Sequence, residues 1–400
     1  MATPNQSQWR HGGEPITALV PPSPRNANQL AYALDAMLGP LGLDVSPLAD
    51  QAAGGVELHW PRQPDRRVRV DPARLGEAFA RISGLVEKDA PRDFLGRVGA
   101  AAAGIDCSKP LWSLWACELA DKLAASNPAW RRPERKLTVF LTHDVDRVHP
   151  LEPMGLLGRA CGAAKACLRG RRPERGLFSW IAQAGEFAAT YERLMRLEQQ
   201  AGVSATYFFM SGPYSLRRYG SRSGRGSRRL LSLAETAERY GHRVGLHGCA
   251  YSPRRGDYAR QRQTLEAATG CKVAWHRNHY LVYDAFRTPA LLAAGGLAVD
   301  STCGYHDANA FRAGLAWPYR LWDWSADAPS AVLEMPLAFM DGVCGGSADD
   351  EWAQLHERLE SAAAVGGTVA VLTHVDRFID DPDNMRRYEE LLSWLSSKQA

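Results

Sequence analysis

The segment Leu137-Thr-Val-Phe-Leu-Thr-His-Asp-Val-Asp146 is the most informative part of the sequence about the fold. Its uninterrupted apolar and β-branched run predicts a strand buried on both faces, as in a parallel sheet. Because side chains alternate along a strand, Asp144 and Asp146 should point one way, and His143 and Val145 the other. Two carboxylates at the end of a buried strand are costly unless a metal ion or another positive charge meets them. The stretch therefore indicates a functional site, with a helix cap or a surface acidic pair as the alternative.

Strand and helix patterns alternate from this stretch to residue 396, which predicts an α/β fold with a parallel sheet. About seven or eight strands fit a closed or nearly closed (β/α) barrel, in which chemistry collects at the carboxyl ends of the strands. After the first strand, the predicted strands are 204–210, 243–248, 272–280, 297–302, 317–324, 331–337 and 367–373. The predicted helices are 182–200, 232–240, 256–269, 285–294, 349–364 and 383–396.

The preceding part of the chain is predicted to form a separate small domain. Residues 1–26 are polar and Pro-rich and predict a disordered tail. Residues 27–130 predict a small α+β domain without a motif that indicates chemistry, and residues 131–400 form the barrel domain. The elements predicted in the small domain are helices 27–38, 73–87 and 111–125 and strands 56–60 and 67–70.

Composition and charge restrict the class of partner and the compartment. The net charge of +4 is small and dispersed, which argues against nucleic-acid binding. No apolar run reaches transmembrane length, and the N-terminus lacks the apolar core of a signal peptide. The eight cysteines show no CxxC pair, so reduced thiols and a cytoplasmic location are expected. Basic residues at 159–175, within an insertion at 147–180, predict a solvated face, or else contact with an anionic membrane or a phosphorylated substrate.

Titratable side chains cluster at the predicted strand ends. A lone histidine there is more often structural than a ligand, but several on successive strands of one parallel fold indicate a site. Carboxylates and imidazoles together suit a divalent metal with one position left open for water. The sequence has no GxSxG, GxGxxG or P-loop motif that would indicate a serine hydrolase or a nucleotide-dependent reaction. The candidates are Asp144, Asp146, His247, Arg277, His279, Asp300 and His374.

Six motifs, in order, resemble the polysaccharide deacetylase superfamily (NodB homology, carbohydrate esterase family 4). The resemblance covers about residues 136–380 and is nearest to the branch with an HDVD opening found among polysaccharide and O-antigen biosynthesis proteins. It implies a distorted (β/α)7 barrel and metal-dependent hydrolysis of an acetyl group on a sugar, N-acetyl before O-acetyl, in polysaccharide or lipopolysaccharide biosynthesis. The motifs are Thr142-His-Asp-Val-Asp146, Val244-Gly-Leu-His-Gly248, Arg277-Asn-His-Tyr-Leu281, Asp300-Ser-Thr-Cys-Gly-Tyr305, Phe311-Arg-Ala-Gly314 and Leu372-Thr-His374.

The resemblance also implies a role for individual residues around a divalent ion, with zinc expected. His374 would be the catalytic acid, its imidazolium tuned by a carboxylate such as Asp376. The other matches are Asp144 as catalytic base, Asp146 as first metal ligand, His247 as first histidine ligand, Arg277 as the arginine that orients the base, and Asp300 as the aspartate of the fourth motif.

One departure from the family pattern concerns the metal ligands. Tyr251 stands where the family has its second histidine ligand. His279 is the replacement expected from strand geometry, because alternation places it on the same face as Arg277. Tyr251 itself or a water molecule is the alternative.

Several further residues are candidates for substrate binding. A backbone N–H near Tyr305 could stabilise an oxyanion. Arg312 lies in the fifth motif, and Tyr251 lies beside the second. Flat aromatic rings suit the faces of sugars, with ordinary core packing as an equal alternative. The tryptophans concerned are Trp275, Trp317, Trp322 and Trp324.

Two other functions remain open from the sequence. The same barrel could hydrolyse a non-sugar amide or a cyclic imide, which the missing histidine makes credible. Alternatively, a degenerate barrel could bind a glycan or scaffold an assembly without turnover. The expected partner is an acetylated sugar or a sugar-containing intermediate, and the oligomeric state cannot be predicted.

Overall fold

The protein divides into two compact units in the computed structural model. The described residues are 14–20, 24–49, 56–103, 107–146, 184–212, 228–343, 347–380 and 383–399. The first unit comprises Met1–Val139, Tyr283–Ala293 and Ala298–Ala370, and the second comprises Phe140–Val282, Ala294–Leu297 and Val371–Ala400. The predicted insertion at 147–180 and its basic patch lie outside the described residues.

The first unit contains a four-stranded sheet with neighbouring helices. In the sheet order β2-β1-β3-β4, β1 pairs in parallel with β2 and antiparallel with β3, and β3 pairs antiparallel with β4. The strands are β1 (Glu14–Val20), β2 (Leu43–Ala49), β3 (Val56–Trp60) and β4 (Gln63–Val70). The helices are α1 (Pro24–Leu38), α2 (Pro72–Ile82) and α3 (Leu111–Ser126).

Strand β1 differs from the disordered tail predicted for residues 1–26. Ile16 and Ala18 are fully buried, and β1 pairs with β2 from Glu14 onward. Strand β2 was not predicted either, since it contains Pro47, which is tolerated because β2 lies at the edge of the sheet. Strand β1 has only seven residues, and its partner β2 contains a proline, so neither strand is easily recognised from the sequence. The separate folding of residues 27–130 stays a prediction.

The larger sheet has nine strands among the described residues, in the order β10-β11-β9-β8-β7-β6-β5-β13-β12. Parallel pairs join β5 to β6, β6 to β7, β7 to β8, and β9 to β11. The α/β class and the largely parallel sheet predicted from the alternating pattern are therefore confirmed. The strands are β5 (Thr138–Val145), β6 (Thr206–Phe209), β7 (Arg243–Gly248), β8 (Trp275–Asn278), β9 (Val299–Asp300), β10 (Tyr319–Asp323), β11 (Ala328–Glu334), β12 (Leu337–Met340) and β13 (Thr368–His374).

The order of the strands is consistent with the barrel-like α/β architecture expected from the sequence, and closure of the barrel stays a prediction. Within the described part of the chain, the edge strands β10 and β12 each have one neighbour in the sheet. A short turn joins β10 to β11, which are antiparallel. Strands joined in this way pair as a hairpin, so the parallel run does not continue to this edge of the sheet.

The helices follow the predicted alternation, with shifted ends. The predicted helix 256–269 begins two residues later than expected, at Tyr258, and ends at Thr269. A short helix that was not predicted, Ser252–Arg255, precedes it and ends before Gly256, which has a left-handed conformation with a φ of 64°. No helix among the described residues is both long and apolar enough to cross a membrane. The helices are α4 (Ala184–Gln200), α5 (Arg228–Arg239), α6 (Ser252–Arg255), α7 (Tyr258–Thr269), α8 (Thr288–Ala294), α9 (Ala348–Ala363), α10 (Val375–Asp380) and α11 (Asp383–Gln399).

The parallel strands of the second unit are buried almost throughout. Every residue of β6 and β8 is buried, as expected for strands covered on both faces. Two other parallel strands carry titratable side chains near their carboxyl ends: β5 has Asp144 and β7 has His247. Asp144 and His247 thus lie at the carboxyl ends of their strands, where parallel α/β folds hold their sites.

Candidate metal centre

Three ligand atoms meet at the carboxyl ends of β5, β7 and β8. Nε2 of His247 lies 3.1 Å from Oδ1 of Asp146 and 3.0 Å from Nδ1 of His279. Nδ1 of His279 lies 3.1 Å from the same oxygen of Asp146. Both histidines are buried, and the Asp146 side chain is 31% exposed. The two nitrogens and the oxygen therefore form a nearly equilateral triangle, open to solvent on the Asp146 side.

The size of this triangle fits the coordination shell of a small divalent ion. With metal–ligand bonds of about 2.0–2.1 Å, neighbouring ligands lie about 3.3 Å apart in a tetrahedron and about 2.9 Å apart in an octahedron. The three observed separations lie between these values. One carboxylate and two imidazoles are also a common protein ligand set for a catalytic zinc, which leaves a position for water or substrate.

The orientation of the His247 ring supports the same assignment. Its Nδ1 donates a hydrogen bond to the backbone carbonyl of Arg277 (3.1 Å), because a carbonyl can only accept. A neutral His247 therefore presents the lone pair of Nε2 to Asp146, which is repulsive unless a cation lies between them. Such a second hydrogen bond, which fixes the tautomer of the ligating ring, is typical of metal-binding histidines.

The three side chains of the triangle shift one another's pKa values, and the Asp144 carboxylate acts on the pKa values of the two histidines. Burial by itself would raise the pKa of Asp146, but His279 and His247 outweigh it and hold that pKa well below its usual range. Burial would lower the pKa of His247, but the carboxylates of Asp144 and Asp146 outweigh it and raise that pKa. For His279, burial dominates and the pKa is lowered. The carboxylate of Asp146 is thus held ionised, which is the state that metal ligation requires of it.

His279 reaches the cluster from a turn and not from the predicted strand 272–280. Strand β8 ends at Asn278, and the following Tyr280 and Leu281 have φ angles of 61° and 52°. This left-handed conformation is unfavourable for residues other than glycine and must be held by its surroundings. The Asn278 side chain contributes by donating a hydrogen bond to the Val282 carbonyl across the turn (2.8 Å).

Asp144 lies beside the triangle and is held by Arg277. Nη1 of Arg277 donates to Oδ1 of Asp144 (3.2 Å) and to Oγ1 of Thr142 (2.7 Å), and the Thr142 hydroxyl donates to the Val371 carbonyl (2.8 Å). The other oxygen of Asp144 lies 3.6 Å from Nε2 of His247. Asp144 and Asp146 thus approach the same nitrogen atom, as the alternation of side chains predicts.

Packing beneath Arg277 depends on a glycine in β7. The guanidinium lies 4.7 Å from the centre of the Phe208 ring. A Cβ on Gly245 would approach that ring to 2.5 Å, closer than real Cβ contacts. Gly245 therefore leaves the space for Phe208, on which Arg277 packs. Thr142 and Phe208 were not among the candidate site residues predicted from the sequence. Thr142 could have been predicted, because it lies two positions before Asp144 on the same face of the strand.

His374 ends β13 and belongs to the same unit as the triangle. The side chain of the preceding Thr373 contacts His143, which lies on the opposite face of β5 from Asp144. Alternation along β13 therefore turns His374 toward the face that carries Asp144. The side chain of Asp376, its expected partner, lies outside the described part of the structure.

The remaining substrate-binding candidates have structural partners. Tyr251 precedes α6, and its ring packs under the guanidinium of Arg255 (5.5 Å), with no contact to the triangle in the described part of the chain. Trp317 is fully buried in the first unit and donates from Nε1 to the Ala36 carbonyl (3.0 Å). Core packing, the alternative left open by the sequence, is what the structure favours for Trp317.

Asp300, Tyr305 and Arg312 also lie in the first unit, apart from the unit that holds the triangle. Asp300 is fully buried at the end of β9 and accepts a hydrogen bond from the Thr302 hydroxyl (2.6 Å). The buried hydroxyl of Tyr305 accepts from Nη1 of Arg81 (3.3 Å). That these residues take part in catalysis or substrate binding stays a prediction.

Arg312, whose contact with substrate stays a prediction, forms a buried ion pair. Its Nε and Nη2 donate to the two carboxylate oxygens of Glu87 at 2.7 and 2.6 Å, and its Nη1 donates to the Gly304 carbonyl at 2.9 Å. Burial by itself would raise the pKa of Glu87, but Arg312 outweighs it and the pKa is lowered. A paired, bidentate guanidinium of this kind holds two segments of the chain together.

We expect Glu87→Gln to lower the free energy of unfolding by about 3–5 kcal/mol at neutral pH, because it leaves the Arg312 charge buried without its partner. Since the folded-state pKa of Glu87 is lowered, its ionised form stabilises the fold fully above the ordinary value of 4.5 and progressively less as the pH falls below it. Denaturant unfolding of wild type and variant between neutral and acid pH measures this difference.

The matched control is Glu57→Gln, which removes a carboxylate whose partner Arg67 is half exposed. Its effect should be much smaller than that of Glu87→Gln, because solvent screens the pair. Equal effects of the two substitutions, or a difference that grows as the pH falls, would show that the Glu87–Arg312 pair does not stabilise the fold as stated.

Comparisons with known proteins show no relative close in sequence. No protein-family model matches the chain, and no curated protein sequence matches it significantly. Among solved structures, it is similar to one described as a "putative polysaccharide deacetylase from Mycobacterium smegmatis", with a TM-score of 0.45 and 18% identity. The match covers 67% of this chain and 86% of the other. A likeness of this size concerns the course of the backbone at most and assigns no residue and no activity.

Proposed function

We propose that this protein is a metal-dependent deacetylase that removes an acetyl group, most readily an N-acetyl group, from a sugar. The observation that carries the proposal is the triangle of Asp146, His247 and His279, with a second carboxylate, Asp144, held beside it by Arg277. Zinc is the ion that this ligand set favours. A ligand set with an adjacent, separately oriented carboxylate suits hydrolysis, since one group binds the ion and the other moves a proton.

When bound, a zinc-type ion supplies Lewis acidity, which lowers the pKa of a water molecule and polarises the acetyl carbonyl. Asp144 is positioned to take a proton from the attacking water as general base. The two donors that Arg277 directs at Asp144 and Thr142 keep this carboxylate from rotating away. Burial of both histidines and of Asp144 limits the access of bulk water, which strengthens these interactions.

His374 completes the proposed reaction as general acid. The oxygen of water bonds to the acetyl carbon, the C–N bond breaks, and the leaving nitrogen takes a proton from the His374 imidazolium. The products are the free amine and acetic acid, which loses its proton to water as acetate. The proton held by Asp144 passes to His374, through solvent, and restores the carboxylate and the imidazolium. A histidine suits this step because its pKa lies near neutral pH.

The sugar as substrate rests on the ordered motifs of the sequence, which resemble those of polysaccharide deacetylases. The proposed setting is the biosynthesis of a polysaccharide or O-antigen. A non-sugar amide or a cyclic imide on the same residues is the second candidate, favoured by Tyr251 in place of the family's histidine.

Acetate release by the zinc-reconstituted protein tests the proposal. The substrates are N-acetylglucosamine oligomers, UDP-N-acetylglucosamine and an O-acetylated sugar, with acyclic N-acetylethanolamine as a non-sugar amide. Succinimide, which has no acetyl group, is included as a cyclic imide, and its hydrolysis is followed by the succinamic acid that ring opening produces. The chelator-treated protein is the control. Metal-dependent release from a sugar supports the proposal, whereas turnover of the non-sugar compounds alone favours the second candidate. Bound zinc without turnover of any compound would contradict both and favour a glycan-binding protein.

A further inference from the structure

A buried polar cluster lies on the opposite face of β5 from the metal centre. Nε2 of His143 lies 2.6 Å from Oε1 of Glu198 in α4, and both side chains are fully buried. The same carboxylate accepts hydrogen bonds from the hydroxyls of Tyr388 (2.5 Å) and Tyr207 (2.8 Å). We refer to these four residues with Thr373 as the His143 cluster.

The His143 cluster is unusual for its place in the fold. The face of a parallel sheet that packs against helices is normally apolar, and a buried ion pair seldom stabilises a protein more than apolar residues of the same volume. Here the pair is fully satisfied: the Tyr207 ring also stacks on the His143 imidazole at 4.6 Å. The nearby His242 donates from Nε2 to the Met195 carbonyl at 2.7 Å, and the same nitrogen lies 3.6 Å from Oε2 of Glu198. A cluster so completely bonded fixes one ring orientation for His143.

The other ring nitrogen of His143 makes the contact that matters for the site. Nδ1 lies 3.0 Å from the hydroxyl oxygen of Thr373, and both groups are buried. His143 directly precedes Asp144 in β5, and Thr373 directly precedes His374 in β13. Side chains alternate along both strands, so Asp144 and His374 project to the other face. The hydrogen bond between His143 and Thr373 therefore links the two backbone positions next to the proposed base and acid.

We propose that His143 is a positioning residue: held by Glu198, its ring anchors Thr373 and thereby sets the distance between Asp144 and His374. The inference rests on the proposed function, in which these two residues move protons at the same substrate. Neither His143 nor Glu198 touches the reacting atoms. Their effect is geometric, since proton transfer is sensitive to displacements well below the length of a bond.

Thr373→Val tests the inference, because it removes the hydroxyl with little change in shape and leaves the His143–Glu198 pair in place. We expect kcat to fall about tenfold to a hundredfold, with KM and zinc content unchanged. Thr373→Ser, which keeps the hydroxyl, should restore most of the activity.

The matched control is Tyr207→Phe, which removes a hydroxyl from the same cluster without touching β13. It should lower the melting temperature to a similar degree and leave kcat unchanged. If Tyr207→Phe and Thr373→Val lower kcat equally and in step with stability, the cluster is merely structural and the inference is overturned. It is overturned equally if Thr373→Val has wild-type kcat.

A second measurement decides the inference even if the wild type releases no acetate, an outcome that would end the proposed function alone. The side-chain ¹⁵N and ¹³C resonances of His374 report its surroundings without turnover. They should move in Thr373→Val, return in Thr373→Ser and stay in place in Tyr207→Phe. Unmoved His374 resonances in Thr373→Val would show that His143 does not position this residue.

Discussion

Replacing Asp144 with asparagine is expected to reduce acetate release about a hundred- to ten-thousandfold, the contribution usual for a general base. The amide still accepts the hydrogen bond from Arg277 but cannot take a proton from water. Zinc should remain bound, because the ligand atoms belong to Asp146, His247 and His279. Steady-state kinetics together with elemental analysis of the same samples measures both effects.

Thr142→Val is the control for this prediction. It removes the other acceptor of Arg277, at 2.7 Å, and leaves the Asp144 carboxylate in place. A loss of about tenfold or less, with an unchanged pH profile, would separate orientation of the base from proton transfer itself. Full activity in Asp144→Asn would exclude Asp144 as the base, and loss of zinc from that variant would make it a ligand.

Replacing His279 with alanine should abolish stoichiometric zinc binding, which is expected at about one ion per wild-type chain. The physical reason is the triangle itself, since the Nδ1 of His279 lies 3.0 Å from Nε2 of His247 and 3.1 Å from Oδ1 of Asp146. Two remaining ligands cannot compete with water for the ion. Elemental analysis after reconstitution, and the rise in melting temperature on adding zinc, measure the loss.

Two variants accompany His279→Ala. His247→Ala should lose zinc to the same extent, because Nε2 of His247 is one of the three ligand atoms and lies 3.0–3.1 Å from the other two. Tyr251→Phe should keep zinc, since the Tyr251 ring packs on Arg255. A different result would identify Tyr251, and not His279, as the third ligand: zinc lost from His247→Ala and from Tyr251→Phe but retained in His279→Ala. If the reconstituted wild type binds no zinc, the proposed metal centre is wrong.

Local patterns predicted much of the architecture because they depend on neighbouring residues. The apolar run before Asp144 predicts a buried strand, and the alternation within it separates Asp144 from His143, as the contacts of the two side chains show. The repeated strand and helix patterns predict parallel strands in the same way. Strand β1 was missed because a short segment is recognisable as a strand only together with its partner β2.

Contacts between distant parts of the chain were beyond such patterns. Arg312 and Glu87 are separated by 225 positions, and nothing near either residue indicates the other. The same holds for Thr373 and His143, separated by 230 positions. Pairing of this kind follows from how whole elements pack, so the ion pair between Arg312 and Glu87 could not be predicted from the residues near either side chain.

The sequence by itself determined that carboxylates and imidazoles stand at the ends of parallel strands, because strand period and element order are local properties of the chain. Which of these side chains contact one another depends on the tertiary fold. His279 joins Asp146 and His247 through a left-handed turn at Tyr280 and Leu281, a conformation for which these residues have no intrinsic preference. Packing around the turn imposes it, and packing is a property of the folded chain as a whole.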